Sequence, residues 1–135
     1  MSRENVEIVR QLHEHWTRGD FRSGMESFDP GIEFEIDASV TMGGAVKVRG
    51  LEAMRDAWRE ILSGWGDLRV GGLTRLVETA DSVISLNPMR GRGRGSGIVI
   101  DQADRAAIFT FREGRIVGLR LTTATEALEV AGLRE

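Results

Sequence analysis

A chain of 135 residues with a formal net charge of −3, from 18 basic and 21 acidic side chains, has the size of one domain, long enough to bury about two-thirds of the surface its unfolded form exposes. That charge gives no global field for nucleic acid or an anionic membrane, and the lack of cysteine excludes disulfides and thiolate metal sites. No apolar run spans a bilayer and the charged start MSRENVEIVRQ is unlike a signal peptide, which sets the expectation of a soluble cytoplasmic protein with neither nucleic acid nor membrane as partner.

The first helix is predicted over residues 4–18, where Val6, Val9, Leu12, His13 and Trp16 recur at helical spacing between Ser2 as N-cap and Gly19 as stop. Asp20 is expected to cap a short second helix in which Phe21, Met25 and Phe28 share a face, broken by Asp29-Pro30-Gly31. Residues 32–37 alternate strictly, so Ile32, Phe34 and Ile36 should face the helices and Glu33, Glu35 and Asp37 the other side. Residues 39–49 read as a loop with a short edge strand at 46–48. A third helix follows over 51–65, with Leu51, Met54, Trp58, Ile61, Leu62 and Trp65 in one stripe.

Three long strands are then predicted, over 68–78 with a bulge at Gly71-Gly72, over 83–95, and over 98–111. The last enters a hairpin. Ala107, Phe109 and Phe111 alternate with Ile108 and Thr110, Arg112-Glu113-Gly114 turns the chain, and Ile116, Val117, Leu119 and Leu121 return it. Thr123 and Glu126 read as a capping box before a short helix that ends at Gly132. Helices segregated against one face of a curved, mostly antiparallel sheet make an α+β roll, a single domain over residues 1–135.

That order, with NVEIVRQLHEHWTRGDF, FDPGIEF, GLEAMRDAW, RGRGRGSG and FREGRIVGLRL along it, resembles the nuclear transport factor two-like superfamily, and within it the bacterial SnoaL-like branch. The resemblance implies a cone-shaped roll around an apolar pocket, usually in homodimers. It embraces polyketide cyclases, ketosteroid isomerases, epoxide hydrolases, dehydratases and non-catalytic domains, so it assigns no chemistry by itself. The isomerase type needs a carboxylate at the end of the first strand, a helical Tyr and a late-strand acid. These positions fall on Ile36, near Leu12, and on Ala107, and the chain has no tyrosine. Asp37 reaches the carboxylate position only through a bulge, and a base there requires a raised pKa. The epoxide hydrolase type places a carboxylate near Thr122 and leaves only Arg90 or Arg92 as arginine.

The catalytic candidates are accordingly Asp37, an electrophilic Arg94, and Asp101 or Arg105, which share strand parity with Ala107 and Phe109. The candidate ligand-binding residues are His13, Trp16, Phe34, Ile36, Trp58, Ala107 and Phe109, an apolar lining for a hydrophobic small molecule. His13 and His15 point to different helix faces and cannot share a metal, so neither metal nor cofactor is expected. Arg90, Arg92 and Arg94 alternate with glycines. They read either as an anion clamp or as a solvated or dimer-facing surface paired to Glu33, Glu35 and Asp37. Three functions compete: a small-molecule-binding domain, a cofactor-independent cyclase, isomerase or hydrolase, and a dimerisation module with a filled core.

Overall fold

The computed structural model describes residues 2–40, 44–64, 68–93, 95 and 97–132. Its helices are α1 (Ser2–Thr17), α2 (Leu51–Ser63) and α3 (Ala124–Val130). Its strands are β1 (Phe28–Ile36), β2 (Val46–Arg49), β3 (Arg69–Val70), β4 (Arg75–Glu78), β5 (Ser82–Leu86), β6 (Met89–Arg92), β7 (Val99–Gln102), β8 (Ala106–Arg112) and β9 (Arg115–Thr122). The α+β class holds: α1 packs over β3 to β5, α2 over β1 and β2, and α3 lies against β8.

Six strands form one sheet in the order β2-β1-β9-β8-β5-β4, and three form a second in the order β3-β6-β7. All pairs are antiparallel except β1 with β9. The hairpin of β8 and β9 closes through Glu113 (φ 52°) and Gly114 (φ 79°). Two successive left-handed residues match the twist of the flanking strands, which a two-residue turn demands. Both faces of β8 are covered. Ala107, Phe109 and Phe111 join the main core with Val9, Leu12 and Phe34, while Ala106 and Ile108 pack with Ile84 and Ala127 on the α3 side.

Each of the three long strands expected over residues 68–111 is cut once, and the halves lie in different sheets. The cuts fall at 71–74, at 87–88 and at 103–105. They are cross-bonded: the Gly71 N–H donates to the Pro88 carbonyl at 2.8 Å, that of Thr74 to Leu86 at 2.9 Å, and that of Asn87 to Arg105 at 3.1 Å. Pro88 supplies no N–H to a ladder, so regular pairing cannot run through it. Gly71 is not a bulge within one strand. A Cβ there would stand 2.6 Å from Pro88 Cγ, so only glycine lets the two chains cross.

The Asp20-capped second helix is a single 3₁₀ turn at Met25–Ser27. Asp20 does gather the local donors, accepting from Arg22 N and Ser23 N, each at 3.1 Å, and from Ser23 Oγ at 2.5 Å, but these bonds close a turn and no helix propagates. Phe28 opens β1, and Asp29-Pro30-Gly31 lies inside that strand, whose register against β9 shifts between Phe28 and Glu33. Trp65 of the α2 stripe lies outside the described residues, and α2 ends at Ser63.

Gly71→Ala should cost about 1–3 kcal/mol, the usual penalty for atoms forced into a filled space. Gly72→Ala, whose Cβ meets nothing within 4 Å, should stay within about 0.5 kcal/mol of wild type. Paired urea unfolding curves measure both; equal penalties would contradict the crossing.

Candidate functional site

The line of cuts bends the second sheet away from the first and leaves a cavity of about 510 Å³. Its helical wall is Trp16 of α1 with Trp58 and Ile61 of α2. Its strand wall includes Ile36, Val70, Met89, Ala107 and Leu121, and Val40, Leu68 and Ile98 from connecting segments complete the apolar part. Gly91 of β6 and Gly93 just beyond it contribute bare backbone, and Arg90 joins them in the lining.

Four of the seven expected ligand-binding residues, Trp16, Ile36, Trp58 and Ala107, line this cavity. The other three form the layer behind it. Phe109 stacks on Trp16 with centroids 5.9 Å apart, Phe34 packs against Trp58 at 5.6 Å, and Trp16 itself meets Trp58 at 5.9 Å. His13 presents its ring to Trp16 edge-on at 5.0 Å. These rings fix the two tryptophans in place.

His13 is buried and its Nε2 lies 2.7 Å from Ser85 Oγ, a contact between residues 72 positions apart. Its Nδ1 is buried without a hydrogen-bond partner among the described residues. Burial pushes its pKa down to about 4, so the ring is neutral at pH 7. With Nε2–H donating to Ser85, the orphan atom is a lone pair rather than an N–H. His15, two positions on, faces outward toward Arg18 and Asp20.

Asp37 follows Ile36 at the end of β1. The bulge that would have turned it inward occurs earlier, before Glu33, and leaves Ile36 on the cavity. Its carboxylate accepts from Arg120 Nε at 3.0 Å, from Arg120 Nη2 at 2.8 Å and from Thr122 Oγ1 at 2.6 Å. Arg120 Nη2 also reaches Glu126 of α3 at 3.4 Å. The hydrogen bonds from Arg120 are the main cause that holds the Asp37 pKa below its ordinary value, the opposite of the raised carboxyl a general base requires. The group clamps β1, β9 and α3 together.

Asp101 is exposed on β7, in register with Arg90, which in turn lies in register with Arg69 on β3. The parity that linked Asp101 to Arg105 and Ala107 fails because residues 103–105 leave the strand and reset the alternation. Arg94 lies outside the described residues. Arg90 and Arg92 are exposed on β6 of the second sheet. Of the acids expected to pair with them, Glu33 and Glu35 stand in register with Arg49 and Lys47 of β2, and Asp37 is ion-paired with Arg120.

The cavity has a polar part, formed by Ser39, Asn87, Arg90, Gln102, Arg105 and Thr122, of which sequence reasoning weighed Arg90 and Arg105 but missed Ser39, Asn87 and Gln102. Asn87-Pro88 was the available signal, a dipeptide that stops a strand. Arg105 is 8% exposed. Its guanidinium donates to the carbonyls of Asp104 at 3.0 Å and Ser39 at 3.3 Å. Among the described residues with cavity-facing atoms there is no carboxylate and no imidazole.

The family model of the SnoaL-like domain matches residues 9–119. No curated protein matches the sequence. Solved structures share the fold. An NTF2-like protein of unknown function from Burkholderia pseudomallei is 16% identical, with 95% of this chain and 97% of that one covered at a TM-score of 0.74. A putative SnoaL-like polyketide cyclase from Jannaschia is 22% identical, with 95% and 90% covered at 0.71. TerC, co-crystallised with polyporic acid, is 15% identical, with 95% and 97% covered at 0.72. Identities this low show the fold alone.

The neutral, buried His13 gives a pH prediction. The unfolded chain takes up this proton near pH 6.5 and the folded one only near 4. Stability from this residue is therefore complete above about pH 6.5 and is lost as the pH falls toward 4, by up to about 3 kcal/mol. Denaturant melts across that window should show the loss, and His13→Gln should flatten it; an unchanged slope would contradict the assignment.

Proposed function

Since the chain belongs to the SnoaL-like branch of the nuclear transport factor two-like superfamily, we propose that it is a small-molecule-binding domain whose apolar cavity receives a hydrophobic ligand. The observation that carries this reading is the wall itself. Two tryptophans and a ring of aliphatic side chains enclose about 510 Å³ and leave one polar corner, the usual make-up of a site for a drug-sized organic molecule. The volume weighs against a module whose core is filled.

The wall also favours binding over turnover. Acid–base chemistry on an oxygenated substrate needs a titratable group within hydrogen-bond reach of the reacting atom. Asp37 is ionised and triply hydrogen-bonded in a clamp, His13 is screened from the cavity by Trp16, and Asp101 is exposed on β7. The setting carried with this reading is a cytoplasmic homodimer. Among the described residues no helix is long and apolar enough to cross a membrane.

Steroids, aromatic polyketides, terpenoids and fatty acids, titrated while tryptophan emission and melting temperature are followed, test the proposal. A cavity ligand should quench Trp16 and Trp58 saturably and raise the melting temperature by mass action. Ala107→Phe, which fills the cavity from β8, should abolish both signals. Asp37→Asn should lower the melting temperature yet keep ligand affinity within about twofold, since it leaves the wall intact. Failure of every compound to quench or stabilise would sink the proposal.

A further inference from the structure

Arg105 stands where the strand that runs from the second sheet into the first is interrupted. Its carbonyl accepts from Asn87 N at 3.1 Å and its own N–H donates to Ala103 O at 3.1 Å, so the backbone at this point is fixed by both neighbouring segments. The guanidinium is thereby held in the polar corner of the cavity. Two of its N–H groups go to main-chain carbonyls, and the guanidinium fork has more donors than these consume.

No carboxylate is bonded to it, although the charge of Asp104, its chain neighbour, offsets part of the cost of its burial. Asp37 is bound by Arg120 and Thr122. Asp104, its chain neighbour, is exposed and its Oδ1 accepts from Thr125 N at the start of α3 at 3.2 Å. Asp101 is exposed on β7 opposite Arg90. Among the described residues Arg105 forms no ion pair. A cation 8% exposed and bonded only to carbonyls is costly to bury, and a matching anion brought to it relieves that cost.

Asn87 stands beside it, buried and lining the same corner. Its Nδ2 makes only a long bond of 3.4 Å to the Pro88 carbonyl. Thr122 Oγ1 already donates to Asp37 and so presents no proton to a ligand. Arg105 and Asn87 are therefore the buried donors of a cavity that Trp16 and Trp58 also line, and Ser39, Gln102 and Arg90 add more exposed ones.

Building on the binding role above, we propose that Arg105, assisted by Asn87, is the receptor for a carboxylate, and that the ligand of this cavity is a hydrophobic ring-containing acid. The rings lie against Trp16 and Trp58, and the acid group occupies the Arg105 fork. Charge-assisted bidentate hydrogen bonds form there in an environment depleted of water, where they are strong. A neutral analogue of the same shape fills the apolar part equally well but leaves the guanidinium uncompensated.

Isothermal titration at pH 7 with biphenyl-4-carboxylate and biphenyl-4-carboxamide tests this, because the two differ only in the charge and donor character of the end group. The acid should bind wild-type protein at least about tenfold more tightly, in line with a hydrogen bond to a charged group. Arg105→Met should remove that preference while keeping the affinity for the amide, and Arg105→Lys should keep part of it. Circular dichroism checks that the variants fold. Should Arg105→Met fail to fold, the acid-to-amide ratio on wild type and on Arg105→Lys decides. Equal binding of acid and amide by wild type, or a preference that survives in Arg105→Met, overturns the assignment of Arg105 and leaves the binding role standing. If neither compound binds, that role falls as well.

Discussion

The shared line of strand breaks is the constraint on which the rest of this molecule depends. Three strands leave the main sheet at adjacent points, and the main-chain bonds Gly71 to Pro88, Thr74 to Leu86 and Asn87 to Arg105 tie those points into one seam. Without the seam the strands would form a continuous twisted surface with no concavity deeper than ordinary sheet curvature. With it, the β3-β6-β7 sheet meets α1 only through β3, and a cavity opens between β6, α2 and the main sheet. The glycine, the proline and the cluster of polar main-chain groups at the seam are local costs that the pairing on either side sustains.

Around that cavity the aromatic residues are arranged in depth. Trp16 and Trp58 form the surface layer, and Phe109, Phe34, Phe21 and His13 form the support. A wall of large rings braced by further rings keeps its shape when nothing fills it, since each indole is held by packing on its far face. The polar corner is built differently. Asn87 and Arg105 come from irregular segments at the seam, tied there by main-chain hydrogen bonds, while Ser39 follows β1 and Gln102 and Thr122 end β7 and β9. Shape thus resides in the helices and main sheet, and the buried donors in the seam.

Much of this architecture is legible in the residues. Val9, Leu12 and Trp16 mark the buried face of α1, and the alternation of Ile32, Phe34 and Ile36 marks the inner face of β1, because one buried side imposes one period. Thr123 accepts from Glu126 N at the start of α3, as its spacing implies. What escapes is collective. Gly71, Asn87-Pro88 and Ala103-Asp104 each look like a defect inside a strand, and only their adjacency across three strands turns them into a change of sheet. The loss of parity past residue 102 leaves Asp101 off the cavity and adds Ala106 to the Arg105 and Ala107 that alternation had already put there. Asp37 escapes for a related reason: its partners Arg120 and Thr122 are 83 and 85 positions away.

The parallel pairing of β1 with β9 has a bearing on how the chain acquires its fold. Phe34 stands opposite Leu119, so an inner strand of the main sheet finds its neighbour only after most of the chain has been brought into place. Such distant pairing postpones the reward for closing a long loop and slows folding. Until β9 arrives, one edge of β1 carries unmet donors and acceptors beside Phe34 and Ile36, the kind of bare edge at which nascent chains associate with one another. The charged residues Glu33 and Glu35 on its opposite face are then the protection that β1 itself carries during that interval.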